Sequence, residues 1–126
     1  MGEKAKYYKC ALQVNSFSYT KYRGNIPQNE QEYNQRILER CWANDISVVG
    51  LADHGSVDSS SSLRTCLQNA GIIVFPGFEI SSAEKIHMVC LFPPEYDTSK
   101  LNRIIGGLGL ANVEKGTEAS EKTCLD

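Results

Sequence analysis

Val48-Val49-Gly50-Leu51-Ala52-Asp53-His54 is the stretch on which the reading of this chain turns. A short apolar run of strand character stops at two metal-capable side chains, and Gly55-Ser56 then supply a turn. That is a strand delivering chemistry at its C-terminal end. The pattern recurs downstream. Ile72-Ile73-Val74-Phe75 runs into Pro76-Gly77-Phe78-Glu79, and Ile86-His87-Met88-Val89-Cys90-Leu91-Phe92 carries a histidine into another apolar run. Three strands therefore direct Asp53, His54, Glu79 and His87 toward one region.

Working back toward the N-terminus, Tyr7 to Asn15 reads as a first strand. Its alternation puts Cys10, Leu12 and Val14 on one face and Ala11, Gln13 and Asn15 on the other. Ser16 to Gln28 has neither a helical nor a strand period and is expected to be a long loop, with Lys21 and Arg23 as its cations. A helix should start near Asn29. Tyr33, Ile37, Cys41 and Trp42 form its apolar stripe, Glu30 and Glu32 suit its positive end, and Trp42 is expected to pack between helix and sheet. Asn44-Asp45 turns the chain into the Val48 strand.

Working forward from His54, the serines from Ser56 to Ser62 supply a loop and an N-cap. The helix that follows carries Leu63, Cys66, Leu67 and Ala70 on one face and stops at Gly71. No Gly-x-Ser-x-Gly pattern surrounds these serines, so they do not mark a nucleophile elbow. Ile72 to Phe75 and Ile86 to Phe92 are the next strands. Ser81 to Lys85 is a turn short enough for an antiparallel pair. A last helix is expected from Ser99 to about Leu108, with Leu101, Ile104, Ile105 and Leu108 as its stripe. Gly106, Gly107 and Gly109 read as its stop, since no Walker or Gly-x-Gly-x-x-Gly pattern is present.

Composition bounds the function. The 126 residues suit one domain, with core 7–110 and a polar tail, 111–126, read as loop. A net charge of -2 does not indicate nucleic-acid binding, although nucleic acid stays among the candidate substrates. No apolar run reaches the roughly 18 residues of a membrane span, and no signal peptide opens the chain, so a cytoplasmic protein is expected. The five scattered cysteines lack paired Cys-x-x-Cys spacing and are read as reduced thiols.

Strands alternating with helices, with polar residues at successive strand ends, predict an α/β fold with a parallel sheet or barrel and a site at the C-terminal strand ends. Asp53, His54, Glu79 and His87 mix carboxylate oxygen with imidazole nitrogen, a donor set suited to zinc, manganese or iron. Each also has a plain structural role open to it. Asp53 and His54 could cap the next turn, Glu79 could pair with Lys85, and His87 could be a hydrogen-bonded strand residue.

At these residues the chain resembles the PHP (polymerase and histidinol phosphatase) family. The resemblance is carried by Gly50-Leu51-Ala52-Asp53-His54-Gly55, by Ile73 to Ile80 with its Pro76-Gly77-Phe78-Glu79, and by Lys85-Ile86-His87-Met88-Val89. It implies a distorted seven-stranded, TIM-like β/α barrel, of which this chain would be the N-terminal half. It also implies a metal-dependent phosphoesterase acting on a phosphate-bearing substrate. In that reading Asp53, His54 and Glu79 are catalytic, the same three with His87 hold divalent zinc, manganese or iron, and Lys21 and Arg23 are candidate phosphate contacts. The family's opening His-x-His motif is replaced by Gln13 and Asn15, which implies an impaired centre.

The strand-one wording, Ala11 to Asn15, with Tyr22-Arg23-Gly24, is most similar to PHP modules fused to large TrlF-type ATPases associated with phage defence. The alternative function is therefore a non-catalytic scaffold or sensing module of such an ATPase. A half barrel is further expected to leave Leu51, Val74 and Val89 without opposing strands to cover them.

Overall fold

The structure, a computed structural model, describes residues 5–20 and 29–108. It is a mixed α/β arrangement of two three-stranded sheets with helices, and no closed barrel is formed among the described residues.

The first sheet has the order β1 (Lys9–Val14), β2 (Ile46–Leu51), β4 (Ile73–Phe75), all parallel. Helices α2 (Glu30–Ala43) and α3 (Ser61–Asn69) connect these strands and cover one face. Leu38 and Cys41 of α2 and Leu63 and Leu67 of α3 close over Val49, Leu51, Ile72 and Val74. Fully burying an aliphatic side chain of this size contributes roughly 1.5–3 kcal/mol, so this cluster is the principal core. Leu51 and Val74 are thus wholly buried, contrary to expectation, because α2 and α3 cover them without further strands. The opposite face is covered only in part, with Val48 buried but Leu12 49% and Ile73 46% exposed.

Local signals explain the helix ends. The Asn29 side chain accepts a hydrogen bond from the Glu32 N–H at 2.7 Å, satisfying one orphan donor of α2. Gly71, at φ 86°, follows the end of α3. The stripe of α2 is rotated from the expected one, because Tyr33, Asn34, Leu38 and Cys41 are its buried residues. Trp42 is 55% exposed and does not pack between helix and sheet. A short helix, α1 (Phe17–Thr20), occupies part of the segment expected to be loop.

Strand one departs from simple alternation. Ala11 pairs with Val49 and Val14 with Leu51, with a register shift between them. An irregularity of this kind moves one residue out of step and re-aims those after it. Ala11 and Val14, not Cys10 and Leu12, therefore share the face of Val49 and Leu51.

The second sheet has the order β3 (Asp53–His54), β5 (Gly77–Ser81), β6 (His87–Leu91). The run ending in His54 is consequently not one strand. It breaks at Ala52, whose N–H still donates to the Val14 carbonyl at 3.0 Å, and the chain then joins the second sheet. Gly77–Ser81, expected to be a strand end and turn, is a strand of its own. It runs parallel to β3 and antiparallel to β6. The hairpin turn is held by the Ser82 N–H on the Ile86 carbonyl (2.9 Å) and by the Ile86 N–H on the Ser82 hydroxyl (3.2 Å).

One face of this sheet packs on α4 (Thr98–Gly107), with Phe78 and Ile80 against Val57, Leu101 and Ile105. Its other face meets the first sheet. A Cβ on Gly50 would lie 2.8 Å from both the Leu91 side chain and the Leu12 carbonyl oxygen, so the backbones approach as only glycine permits. Val89, the third residue expected to lack cover, is 40% exposed.

Candidate functional site

Strand alternation divides the four expected ligands. In the parallel pair β3–β5, Asp53 is in register with Phe78 and His54 with Glu79. Side chains in register on paired strands share a face, and successive residues on one strand do not. Asp53 therefore lies on the Phe78 side, and His54 on the side of Glu79. In the antiparallel pair, His87 is in register with Ser81, two residues beyond Glu79 and on the same face as it.

Glu79 is the meeting point. Gln13 Nε2, from the end of β1, donates to Glu79 Oε2 at 3.3 Å. His87 Nδ1, from β6, lies 3.4 Å from Glu79 Oε1 and 2.9 Å from the Ser81 hydroxyl. Both contacts of the imidazole fall on Nδ1. A nucleophilic triad would need the serine on one ring nitrogen and the acid on the other, so Ser81, Glu79 and His87 do not form one. With a hydrogen on Nδ1 the ring donates to Glu79 or Ser81, and Nε2 keeps a lone pair directed elsewhere. The His87 side chain is 68% exposed and that of Glu79 only 13%. The carboxylate thus fixes the ring from below while the ring edge stays reachable.

Asp53 is used differently. It is 1% exposed. One of its oxygens accepts the Ser16 N–H at 2.8 Å, and the other accepts short hydrogen bonds from the Ser16 and Ser59 hydroxyls. Three donors hold both carboxylate oxygens and tie the end of β1 and the Ser56–Ser60 segment to β3. Asn15 is held in the same corner. Its Nδ2 donates to the Ala52 carbonyl at 2.8 Å, and its own carbonyl accepts from Tyr33 Oη at 2.8 Å. Gln13 and Asn15 therefore separate, one to Glu79 and one to the backbone.

Among the described residues, no group of three or more His, Cys, Asp or Glu side chains is arranged to hold a metal ion. Lys21 and Arg23 lie outside the described residues, as does the tail beyond Leu108. Cys10, Cys41, Cys66 and Cys90 are not disulfide-bonded, and burial pushes the Cys41 thiol up. Ser16, Ser59 and Ser81 were not legible as site residues. Ser81 alone had a signal, since it follows Glu79 by two in an alternating strand. Ser16 and Ser59 reach Asp53 through the tertiary fold.

No protein-family model matches the chain, and no curated protein and no solved structure matches it significantly. No helix among the described residues is long and apolar enough to cross a membrane.

Proposed function

We propose that this chain is the N-terminal half of a PHP-type β/α barrel, a cytoplasmic metal-dependent phosphoesterase with an impaired centre. The observation that carries this reading is the convergence on Glu79, reached from β1 by Gln13 and from β6 by His87, with His54 in register beside it. The donor types of His54, Glu79 and His87 suit a divalent zinc, manganese or iron ion, but among the described residues the three are not arranged to hold one. Asp53 is withheld, because Ser16 and Ser59 already take its oxygens. A bound divalent ion supplies water activation and neutralises phosphate charge. The chain's own residues orient and hold. Glu79 fixes the His87 ring with Nε2 outward, as carboxylates do behind ligating histidines, and the Gln13 amide holds the second Glu79 oxygen. The substrate class is a phosphate ester, with nucleotides or nucleic-acid ends as candidates and Lys21 and Arg23 as candidate contacts.

The second reading, a non-catalytic scaffold or sensing module of a larger, phage-defence type ATPase, is favoured by a specific pair of facts. A neutral amide stands at Gln13 where the resemblance calls for imidazole, and Asp53 is sealed.

Manganese titration of the isotopically labelled protein, combined with a chromogenic phosphate-ester assay, separates the two readings. Selective paramagnetic broadening of His54 and His87 signals, abolished by Glu79→Ala, with turnover near background, is expected. Turnover that is robust and lost in His54→Ala would show that the centre is not impaired. Absence of selective broadening and of turnover would leave the scaffold reading standing.

A further inference from the structure

Each of the two sheets ends in two outer strands, and these are not alike. β3 and β4 are very short, and β1 carries Lys9 and is broken by register shifts. Short, charged or irregular edges resist pairing with a further strand. β6 has none of these features. It runs beside β5 without a shift from His87 to Leu91, and from Ile86 to Phe92 the chain contains no Lys, Arg, Asp, Glu, Gly or Pro. The bonds of the hairpin define which backbone groups β6 leaves over. The Ser82 N–H donates to the Ile86 carbonyl and the Phe92 N–H to the Pro76 carbonyl, each at 2.9 Å. Bonded and non-bonded residue pairs alternate along an antiparallel ladder. Between those two ends, Met88 and Cys90 therefore turn their N–H and C=O groups toward β5, while His87, Val89 and Leu91 turn theirs away from it. No strand lies opposite those outward groups among the described residues, and Val89 is 40% exposed.

We propose that β6 pairs antiparallel with the β6 of a second copy of this chain, about a two-fold axis at Val89. Val89 is the middle residue of the strand and is itself turned outward. An axis there sets Val89 opposite Val89, and His87 opposite Leu91 on either side, so every outward N–H and C=O of the strand gains a partner. The register that uses all of these groups is thus the symmetric one, which favours a second copy over a strand of another sequence. The side chains agree with the backbone. The remaining opposed pairs are Met88 with Cys90 and Ile86 with Phe92, so no like charges meet across the axis although the chain carries a net charge of -2. The second copy's Leu91 then stands beside the His87 that Glu79 holds. The pairing does not rest on the phosphoesterase reading and is tested without metal or substrate.

An interface of one strand edge is small, so the dimer should be reversible, with a dissociation constant of about 100 µM. The test is sedimentation velocity and amide hydrogen exchange of the full 126-residue chain at about 10 µM and about 1 mM. Monomer at the lower concentration and dimer at the higher are expected. Exchange at His87, Val89 and Leu91 should slow about fourfold between the two, while Met88 and Cys90, bonded to β5, stay protected at both. Val89→Lys sets two ammonium groups face to face at the axis and should abolish the dimer with Met88 and Cys90 still protected. Leu12→Lys, on the exposed face of the first sheet, should leave the dimer intact. If Val89→Lys loses the β5 pairing, the wild-type exchange pattern decides alone. The proposal is overturned by a monomer at both concentrations, or by a dimer whose His87, Val89 and Leu91 amides stay unprotected. Protection of those amides that does not change with concentration also overturns it, since another part of the same chain would then cover β6. So does a dimer that survives in folded Val89→Lys or is lost in Leu12→Lys.

Discussion

Asp53 and Glu79 stand one register step apart on neighbouring strands, yet their surroundings are opposite. Asp53 is sealed on the core side of its sheet and held by Ser16 and Ser59. Glu79 lies on the other face, with an exposed imidazole 3.4 Å from one oxygen and a long hydrogen bond from Gln13 on the other. A carboxylate with both oxygens held by fixed donors is structural. One held loosely beside a reachable histidine retains capacity for chemistry. The difference arises from strand alternation, which sends adjacent residues such as Asp53 and His54 to opposite faces.

The largest expected effect tests this contrast directly. Asp53→Ala strands the buried Ser16 and half-buried Ser59 donors and should cost about 3–5 kcal/mol. Glu79→Ala removes only long contacts and should cost about 1 kcal/mol or less. Urea unfolding of the two variants measures both. Equal costs, or a larger cost at Glu79, would break the distinction between anchor and site.

A substitution within the second sheet should separate the two regions spatially. A Cβ at Gly77 would come within 2.0 Å of the Cys90 carbonyl oxygen, a backbone atom that cannot swing away. Gly77→Ala should therefore force β5 from β6 and cost about 2–3 kcal/mol. Amide exchange should show β6 losing protection while the Ser16 N–H, bonded to Asp53, keeps its own. Loss of Ser16 protection as well would mean that the anchor depends on the hairpin.

The sequence was most informative where local chemistry decides. Asn29 and Gly71 marked helix ends, and Leu63 and Leu67 marked a buried face, because caps and 3.6-residue stripes are local properties. It was misleading where tertiary contacts decide. The apolar continuity from Val48 to Ala52 hid a change of sheet at Ala52. Pro76-Gly77, read as the continuation of the Ile72 run, hid the start of a separate strand in which Phe78 and Ile80 alternate with Glu79 and Ser81. Trp42 adjoins the α2 stripe by one position, and a rotation of that stripe toward Leu38 leaves it in solvent. For the candidate site, Glu79 and His87 were legible as a carboxylate and an imidazole on neighbouring strands, although Glu79 lies mid-strand in β5 and His87 opens β6. The capture of Asp53 by Ser16, 37 residues away, was not.

A smaller, pH-dependent effect compares the helical layer with the exposed strand β1. Burial raises the Cys41 thiol above its ordinary value of 9.0, whereas Cys10 is exposed. Below the unfolded pKa the thiol is neutral in both states and its contribution is fully present. As pH rises past 9 the unfolded chain ionises first, and that contribution is lost. Wild type should lose more stability than Cys41→Ala between about pH 7 and about pH 10. Identical alkaline slopes would show that the thiol is not desolvated. Alkylation should label Cys10 rapidly and Cys41 only on unfolding.

The smallest effect lies in the hairpin that presents His87 to Glu79. Lys85 has φ 68°, the left-handed region in which a side chain crowds its own backbone. The conformation is imposed by the turn, since the Lys85 N–H donates to the Ser82 carbonyl at 3.0 Å and Ser82 is bonded twice to Ile86. Left-handed backbone costs a non-glycine residue about 1–2 kcal/mol, and glycine returns about 0.5–1 kcal/mol of that through unfolded-state entropy. Lys85→Gly should accordingly stabilise the chain by up to about 1 kcal/mol, seen as a higher urea midpoint at unchanged slope. The His87 ring signals should not move, because the glycine relaxes strain without altering the turn. A destabilised variant with shifted His87 signals would show that Lys85 itself holds the hairpin in register, and that the Glu79–His87 pairing is set from the turn instead of from the strands.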